Sequence, residues 1–237
     1  MFNQSTDFPV ITLSARGGYV PPDYAFLDEA PYLVVYGNGR FHRREDDAKT
    51  RIARWNEGEM TLQQTEELIQ ALGQLGSWSW DTKAIQARIG KQKLITDLPT
   101  TSLTIVLSDR EKTFSCYGLQ QYAENYSMPE LVNPLKATQK LEGLTPTRLA
   151  QPASVDTIAV PVDAADASQL KGVQPWPLAD LAVVPSITKV NPAGHQSTFR
   201  GDAAKQITNV LSGGLYFSIN NQSYVVRYRP SAGQAKQ

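Results

Sequence analysis

Histidine and cysteine, the residue types that most metal sites and many acyl-transfer and thiol chemistries require, are scarce in this chain. Its 237 residues include two histidines, His42 and His195, and one cysteine, Cys116. The three lie far apart in the sequence, and none belongs to an HxxxH or CxxC pairing or to a Gly-x-Ser-x-Gly elbow. The sequence therefore predicts no catalytic residue, no metal ligand and no cofactor.

Cys116 is expected to serve packing rather than chemistry. It lies in a predicted strand between Ser115 and Tyr117, and free cysteines commonly behave as small buried hydrophobic residues. A single cysteine forms no internal disulfide, so cysteine usage does not indicate a redox compartment.

Paired carboxylates are the alternative source of chemistry. Glycosidases need two carboxyl groups that face each other across a cleft, one of them in an apolar pocket. The candidate pairs are Asp28 with Glu29, Glu66 with Glu67, and Asp163 with Asp166. We expect Glu66 and Glu67 on the solvated side of their helix. A carboxylate-dependent hydrolase with a site between two halves of the chain is thus the alternative to a non-enzymatic function.

A basic stretch follows the second predicted strand and could bind an anionic partner. It consists of Arg40, His42, Arg43, Arg44, Lys49, Arg51 and Arg54, with Phe41 and Trp55 nearby. Three acidic residues at positions 45–47 dilute its charge, and Lys+Arg and Asp+Glu balance at 23 each over the chain. A zero formal charge gives no long-range attraction to nucleic acid. We expect no nucleic-acid partner and interpret the stretch as an exposed sheet edge protected by charge.

Aromatic side chains supply the predicted contact surface. Trp78 and Trp80 would share one face of a strand, while Tyr19 and Tyr24 lie in a loop rich in glycine and proline. Exposed aromatic residues often mark sugar or protein contacts, although tryptophan beside a helix end is more often buried. The sequence predicts that Tyr19, Tyr24, Trp78 and Trp80 form a contact surface.

Three β-hairpins are the clearest elements. Strands at 33–36 and 40–43 flank Asn38-Gly39, a pair typical of a type I′ turn, and a phosphate loop would instead run from strand into helix. Further hairpins join 102–107 to 113–117 and 215–219 to 224–228. Single strands are expected at 11–15, at 155–162, and at 52–55 before a turn at Glu57-Gly58.

Helices are predicted from capping signals and apolar spacing. Thr61 to Gln64 is a capping box for a helix at 62–75, and a second helix begins at Gly201 or Asp202. Ser127 to Glu130 is another capping box, after which Pro134 either kinks the helix or starts a new one. A short helix is expected at 176–181.

The order of these elements predicts the fold class and the domains. A helix followed by an antiparallel hairpin occurs at 62–117 and again at 202–229, which predicts an α+β protein of two similar helix-plus-hairpin halves. A segment rich in Pro, Ala, Asp and Ser suggests a division into 1–144, a connection at 145–175, and 176–237. One continuous domain is the alternative. No apolar run of about 18 residues occurs, so we expect no transmembrane segment.

Three groups of motifs resemble a family of uncharacterised bacterial proteins, best represented in actinobacteria and usually exported or lipid-anchored. They are Gly17-Gly-Tyr-Val-Pro-Pro22 with Tyr32-Leu-Val-Val-Tyr-Gly-Asn-Gly-Arg40, the helix at 62–75, and Trp176-Pro-Leu178 with Arg200-Gly-Asp-Ala-Ala204 and Tyr224-Val-Val-Arg-Tyr-Arg-Pro230. The chain departs from the family at Ser231-Ala-Gly, where many members add leucine and proline. The resemblance implies a fold and an exported location but no catalytic residues.

We therefore expect a non-enzymatic binding or structural module outside the cytoplasmic membrane, with a protein or cell-envelope component as its partner. The first eight residues lack the basic and apolar regions of a signal peptide. An extracytoplasmic location thus requires that a leader was removed, and a cytoplasmic location is the alternative.

Overall fold

A computed structural model describes residues 1–5, 8–18, 20–47, 49–92, 95–167, 170, 172–184 and 194–231. Helices and two largely antiparallel sheets confirm the α+β class. The strands are β1 (Pro9–Arg16), β2 (Leu33–Tyr36), β3 (Arg40–Asp46), β4 (Ala53–Glu59), β5 (Thr100–Val106), β6 (Glu111–Tyr117), β7 (Arg148–Leu149), β8 (Ser154–Pro161), β9 (Gln174–Pro175), β10 (His195–Arg200), β11 (Tyr216–Ile219) and β12 (Gln222–Pro230). The helices are α1 (Pro22–Asp28), α2 (Leu62–Gln74), α3 (Thr82–Ile89), α4 (Leu119–Asn125), α5 (Pro129–Glu142), α6 (Ala164–Ala167) and α7 (Gly201–Leu211).

The chain divides into two compact units. The first comprises Met1–Val20, Pro31–Arg43 and Asn56–Arg148, and the second comprises Pro21–Ala30, Arg44–Trp55 and Leu149–Gln237. The change of unit after Arg148 lies close to the predicted end of the first half at residue 144. Two segments that the prediction gave to the first half belong to the second unit. The predicted connection at 145–175 also contains β8, a strand of the second sheet.

The first unit packs helices against one face of a sheet whose strand order is β6-β5-β1-β2-β3-β4-β7. In β1, Leu13 lies opposite Leu33 of β2 and Leu103 of β5, which places these apolar side chains on one face. Helix α2 covers this face with Leu68 and Leu72. Side chains from α3, α4 and α5 belong to the same buried cluster, so one core holds the unit together.

The second unit has its own core under α7. Its sheet has the order β10-β8-β12-β11-β9, with antiparallel pairs except for β9 beside β11. Ala204, Ile207 and Leu211 of α7 are buried with Val155 and Val226 of the sheet. Their spacing of three or four residues is that of one helix face. The predicted helix and the third hairpin are therefore confirmed.

The capping box that predicted α2 is present. Thr61 Oγ1 accepts a hydrogen bond from the backbone N–H of Gln64 at 3.1 Å, and Gln64 Oε1 accepts one from the N–H of Thr61 at 2.8 Å. The second predicted box is wrong. Ser127 has φ +47° and α5 begins after Met128, without a side-chain cap. Pro134 lies inside this helix and starts no new one.

The first hairpin is confirmed, but its turn is not the predicted type. A type I′ turn needs positive φ at both central residues. Gly39 has φ +89°, but the φ of Asn38 is not positive. The N–H of Gly39 donates to Tyr36 O at 3.0 Å, so the connection spans three residues and a glycine closes it. The type I′ pattern belongs instead to the third hairpin, where Asn220 and Asn221 have φ of 52° and 62°.

Two further local predictions are wrong because aromatic side chains determine the local structure. The expected turn at Glu57-Gly58 is part of β4, and a Cβ on Gly58 would lie 2.3 Å from the Phe41 ring. This glycine makes room for a core side chain rather than for a turn. The expected helix at 176–181 is irregular instead, because Trp176 Nε1 donates to Leu181 O at 2.9 Å and its ring packs edge-on against Phe217.

Candidate functional site

Trp80 is a core residue and not part of a contact surface. Its side chain is 7% exposed, its ring meets Phe114 edge-on at 5.1 Å between centroids, and its Nε1 donates to Leu75 O. The prediction assumed a strand that would place Trp78 and Trp80 on one face. Residues 75–79 instead form a turn between α2 and α3, and this turn directs Trp80 into the first unit.

Trp78 remains accessible at the surface of the first unit. It is half-buried, and the guanidinium carbon of Arg110 lies 4.1 Å from its ring centroid. Arg110 is exposed in the loop between β5 and β6. A cation over an indole face is a favourable pairing. Trp78 and Arg110 therefore form a defined two-residue surface, which we call the Trp78 patch.

One of the two predicted tyrosines, Tyr24, belongs to the second unit and not to the Trp78 patch. Tyr24 lies in α1 of the second unit, half-buried, with the guanidinium carbon of Arg227 4.1 Å and that of Arg51 5.5 Å from its ring centroid. Its ring is thus used to cover charged side chains inside its own unit. Tyr19 lies outside the described residues.

Cys116 is buried, as predicted. It is completely inaccessible in the core of the first unit, and burial raises the pKa of its thiol to about 12. Because the thiolate is the nucleophilic form, the folded environment makes this cysteine unreactive at neutral pH. His195 lies on β10, at one end of the second sheet, with its ring 6.3 Å from that of Tyr224.

The structure brings Glu57 and Arg148 to Arg40 and His42 of the basic stretch, a grouping that the sequence did not predict. His42 of β3, Glu57 of β4 and Arg148 of β7 meet with Arg40, and we call this group the His42 cluster. Strand alternation explains why it forms away from the core. Phe41 faces the core beside Val35, so its neighbour His42 points to the opposite face.

Glu57 is the centre of the His42 cluster. Its Oε2 lies 2.9 Å from His42 Nε2, and its Oε1 accepts hydrogen bonds from Arg148 Nε at 2.9 Å and Nη2 at 2.5 Å. Arg40 Nε lies 3.7 Å from the same carboxylate. Burial alone would raise the pKa of Glu57, but the hydrogen bonds from Arg148 and His42 outweigh it and lower the pKa. The carboxylate is therefore ionised at neutral pH.

His42 is a neutral ring in this setting. Burial lowers the pKa of His42 below its ordinary value of 6.5, and the positive charge of Arg40 acts in the same direction. Glu57 favours the protonated ring but does not outweigh burial. An imidazole beside a carboxylate is one part of the machinery that activates a nucleophile. Cys116, however, lies on the core face of the sheet, opposite to the face that carries His42.

The sequence offered only a weak local signal for the His42 cluster. Along the sequence, His42 lies 15 positions and Arg148 lies 91 positions from Glu57. The alternation of Trp55, Glu57 and Glu59 along β4 would have been the one clue, since it places two carboxylates on one strand face. The predicted turn at Glu57-Gly58 concealed that pattern.

The basic stretch is used internally and is not a protected edge. Strand β3 lies between β2 and β4 rather than at an edge. Arg43 Nη1 donates to the carbonyl oxygens of Glu142 and Leu144, Arg44 pairs with Asp28 at 2.9 Å, and Arg54 Nε donates to Ser212 O at 2.8 Å. Arg43, Arg44 and Arg54 of the stretch thus bind groups of their own unit.

The predicted carboxylate pairs do not face each other across an apolar site. Glu66 and Glu67 are exposed on α2, as expected, and Asp163 and Asp166 are exposed beside and within α6. Asp28 is held by Arg44, and Glu29 accepts a hydrogen bond from Arg229 at 2.6 Å. The acidic residues that the structure buries are others, namely Glu57 and Asp23.

Asp23 forms the second buried ion pair, within the second unit. Arg227 Nε donates to Asp23 Oδ2 at 2.6 Å, and Arg227 Nη1 donates to the carbonyl oxygen of Arg51 at 2.6 Å. Arg227 is 3% exposed. Its planar group also stacks on Tyr24, so α1 is attached to β12 by a charge pair and a ring contact.

The pKa shifts of the His42 cluster predict a loss of stability in acid. A histidine with a lowered folded-state pKa binds its proton more readily when unfolded, so stability falls as pH decreases below about 6.5. The lowered pKa of Glu57 adds a second loss below about 4.5. We expect the Tm of H42Q to decline less steeply than that of the wild type between pH 7 and 5.

Thermal denaturation at a series of pH values, with Tm as the measured quantity, tests this prediction. H195Q is the matched control, because His195 is partly exposed on β10 and lies outside the His42 cluster. Its profile should follow the wild type. Equal slopes for H42Q and the wild type between pH 7 and 5 would contradict the assignment of the loss to His42.

Comparisons with known proteins found no match: no family model, curated protein or solved structure matches the chain. Within the ranges that the structure describes, no three His, Cys, Asp or Glu side chains gather closely enough to hold a metal ion. Among the described helices, none has the length and apolar character needed to cross a bilayer.

Proposed function

We propose that this protein is a non-enzymatic binding or structural module that acts outside the cytoplasmic membrane on a protein or cell-envelope component. The observation that carries the proposal is the state of the two buried carboxylates. Glu57 accepts two hydrogen bonds from Arg148, and Asp23 Oδ2 accepts one from Arg227 Nε at 2.6 Å. A glycosidase acid needs the opposite environment, an apolar pocket that raises its pKa.

Two further side chains, Cys116 and His42, also support a non-enzymatic function. The Cys116 thiol is buried, and the His42 imidazole is held by Glu57. The Cys116 thiol and the His42 imidazole thus both have a structural use inside the first unit. The alternative, a carboxylate-dependent hydrolase, gains no support from these contacts.

The Trp78 patch is the contact surface that we propose. Tryptophan and arginine are the residue types most enriched among the side chains that dominate protein interfaces. Arg110 over the indole offers a flat surface with hydrogen-bond donors at its rim, which suits carboxylates and hydroxyls on a partner. The family resemblance of the sequence motifs supports an exported location and a bacterial envelope partner.

Binding to cell-envelope material tests the proposal. Purified wild-type protein is incubated with insoluble cell-wall material and, separately, with detergent-extracted envelope proteins, and depletion from the supernatant is measured. We expect saturable binding to one of them, weakened about tenfold or more by W78A or R110A. The matched control is K205A, an exposed substitution on α7 that should leave the affinity unchanged.

The outcomes separate the two functions. Tm values show whether W78A remains folded, as expected for a half-buried residue. Release of soluble sugars or peptides from the material, abolished by a carboxylate substitution, would overturn the non-enzymatic proposal. Saturable binding that W78A and R110A leave intact would reject the Trp78 patch as the contact surface.

A further inference from the structure

The chain contains a single Asn-Gly pair, Asn38-Gly39, in the connection between β2 and β3. An asparagine before glycine is open to a reaction of its own main chain, because glycine has no side chain to obstruct the attacking amide. The pair therefore raises the question of whether the fold permits or prevents that reaction.

The reaction is deamidation, and it requires base and water. The Gly39 amide nitrogen loses its proton and attacks Asn38 Cγ, the bond from Cγ to the side-chain nitrogen breaks, and ammonia leaves. The product is a five-membered succinimide. Water then adds to one of its two carbonyls, giving aspartate when the new Cγ–N bond opens and isoaspartate when the original peptide bond opens.

Both reacting groups are held by hydrogen bonds in the folded hairpin. The Gly39 N–H donates to Tyr36 O at 3.0 Å, and Asn38 Oδ1 accepts from the Arg40 N–H at 3.2 Å. The Met60 N–H donates to Gly39 O at 3.0 Å, so the glycine is paired on its other side as well. Attack needs a deprotonated amide and a reoriented side chain, so these bonds must open first.

Backbone atoms pack closely against the glycines on both sides of Asn38. A Cβ on Gly39 would lie 2.1 Å from Met60 O, and a Cβ on Gly37 would lie 1.6 Å from Asn3 O. Isoaspartate inserts one extra carbon into the main chain between residues 38 and 39. Gly39 could not then keep its pairing with both Tyr36 and Met60.

We propose that Asn38 is a deamidation site gated by the fold. The native hairpin protects it, opening of the hairpin exposes it, and the isoaspartyl product blocks return to the native hairpin. Chemical modification at this one position would thus convert a transient opening into a lasting loss of the first unit. The inference is independent of the proposed function.

The first experiment compares rates. Wild-type protein is incubated in mildly alkaline buffer with and without urea, and deamidation at residue 38 is followed by peptide mapping and mass spectrometry. We expect the folded chain to react at least about tenfold more slowly, which corresponds to an opening cost of about 1.4 kcal/mol. Equal rates would overturn the protection. N38Q is the control that should lose this reaction.

The second experiment tests the product. Isoaspartyl chains are separated by chromatography after reaction in urea, refolded, and compared with N38D, which carries the same charge without the extra main-chain carbon. We expect N38D to keep a Tm close to the wild type, since its carboxylate oxygen can still accept from the Arg40 N–H. The isoaspartyl chain should melt clearly lower. Equal Tm values for the two would overturn the block.

Discussion

Replacing Gly39 by alanine is expected to lower the free energy of unfolding of the first unit by about 3 kcal/mol or more. Two costs add. The backbone of Gly39 has φ +89°, a conformation that residues with a Cβ avoid. The added methyl would also lie 2.1 Å from Met60 O, a backbone atom that cannot move without breaking the Met60 N–H bond to Gly39 O.

G17A is the matched control for this substitution. Gly17 has φ +85°, nearly the same conformation, but a Cβ there meets no atom within 4 Å. G17A should therefore show only the conformational cost, about 1–2 kcal/mol. The difference between the two variants, measured by urea unfolding, isolates the steric contact. A G39A protein no less stable than G17A would show that Met60 O does not restrict the turn.

This glycine illustrates how far local patterns predict the fold. Asn38-Gly39 between two apolar strands identified the hairpin correctly, because the turn and its flanking alternation lie within a few residues of each other. The turn type was wrong, and the residues that contact the turn, Met60 and Asn3, are not connected to it by any local pattern. Thr61 and Gln64 predicted the start of α2 for the same reason that the hairpin was found, since all its signals are local.

Helix α1 shows where local patterns mislead. The segment around Pro21 and Pro22 was predicted to be a loop, yet proline is well tolerated in the first turn of a helix, where its missing N–H costs nothing. The helix begins at Pro22, and Tyr24 belongs to it rather than to a loop. Its short length gives it little stability of its own, so its placement depends on residues that are distant in the sequence.

The His42 cluster was hidden for a related reason. No sequence pattern predicts a shared site for Glu57 with His42, 15 positions away, and Arg148, 91 positions away. The low number of histidines and cysteines correctly drew attention to His42, but its partner Glu57 was assigned to a turn. Register across three strands, and not composition, brings the group together.

The buried pair of Asp23 and Arg227, which attaches α1 to β12, is expected to be the second site where one substitution strongly lowers stability. R227M should lower the free energy of unfolding of the second unit by about 3–5 kcal/mol, because it leaves the Asp23 carboxylate buried without its partner. It also removes the donor to the Arg51 carbonyl and the guanidinium stacked on Tyr24. K205M is the contrasting control, because Lys205 and Asp202 form an exposed pair whose loss should change stability by less than about 0.5 kcal/mol.

A double-mutant cycle distinguishes the cost of an isolated charge from a simple loss of packing. If the penalty of R227M comes from the unpaired Asp23, then adding D23L removes that charge, and the double variant should be more stable than R227M alone. The expected coupling energy is about 1–3 kcal/mol, obtained from urea unfolding of the wild type, both single variants and the double variant. Strictly additive losses would mean that Arg227 supports α1 through its contacts with Tyr24 and Arg51 and not through Asp23. The coupling energy therefore decides whether a charge pair or a stacked guanidinium fixes this helix to the sheet.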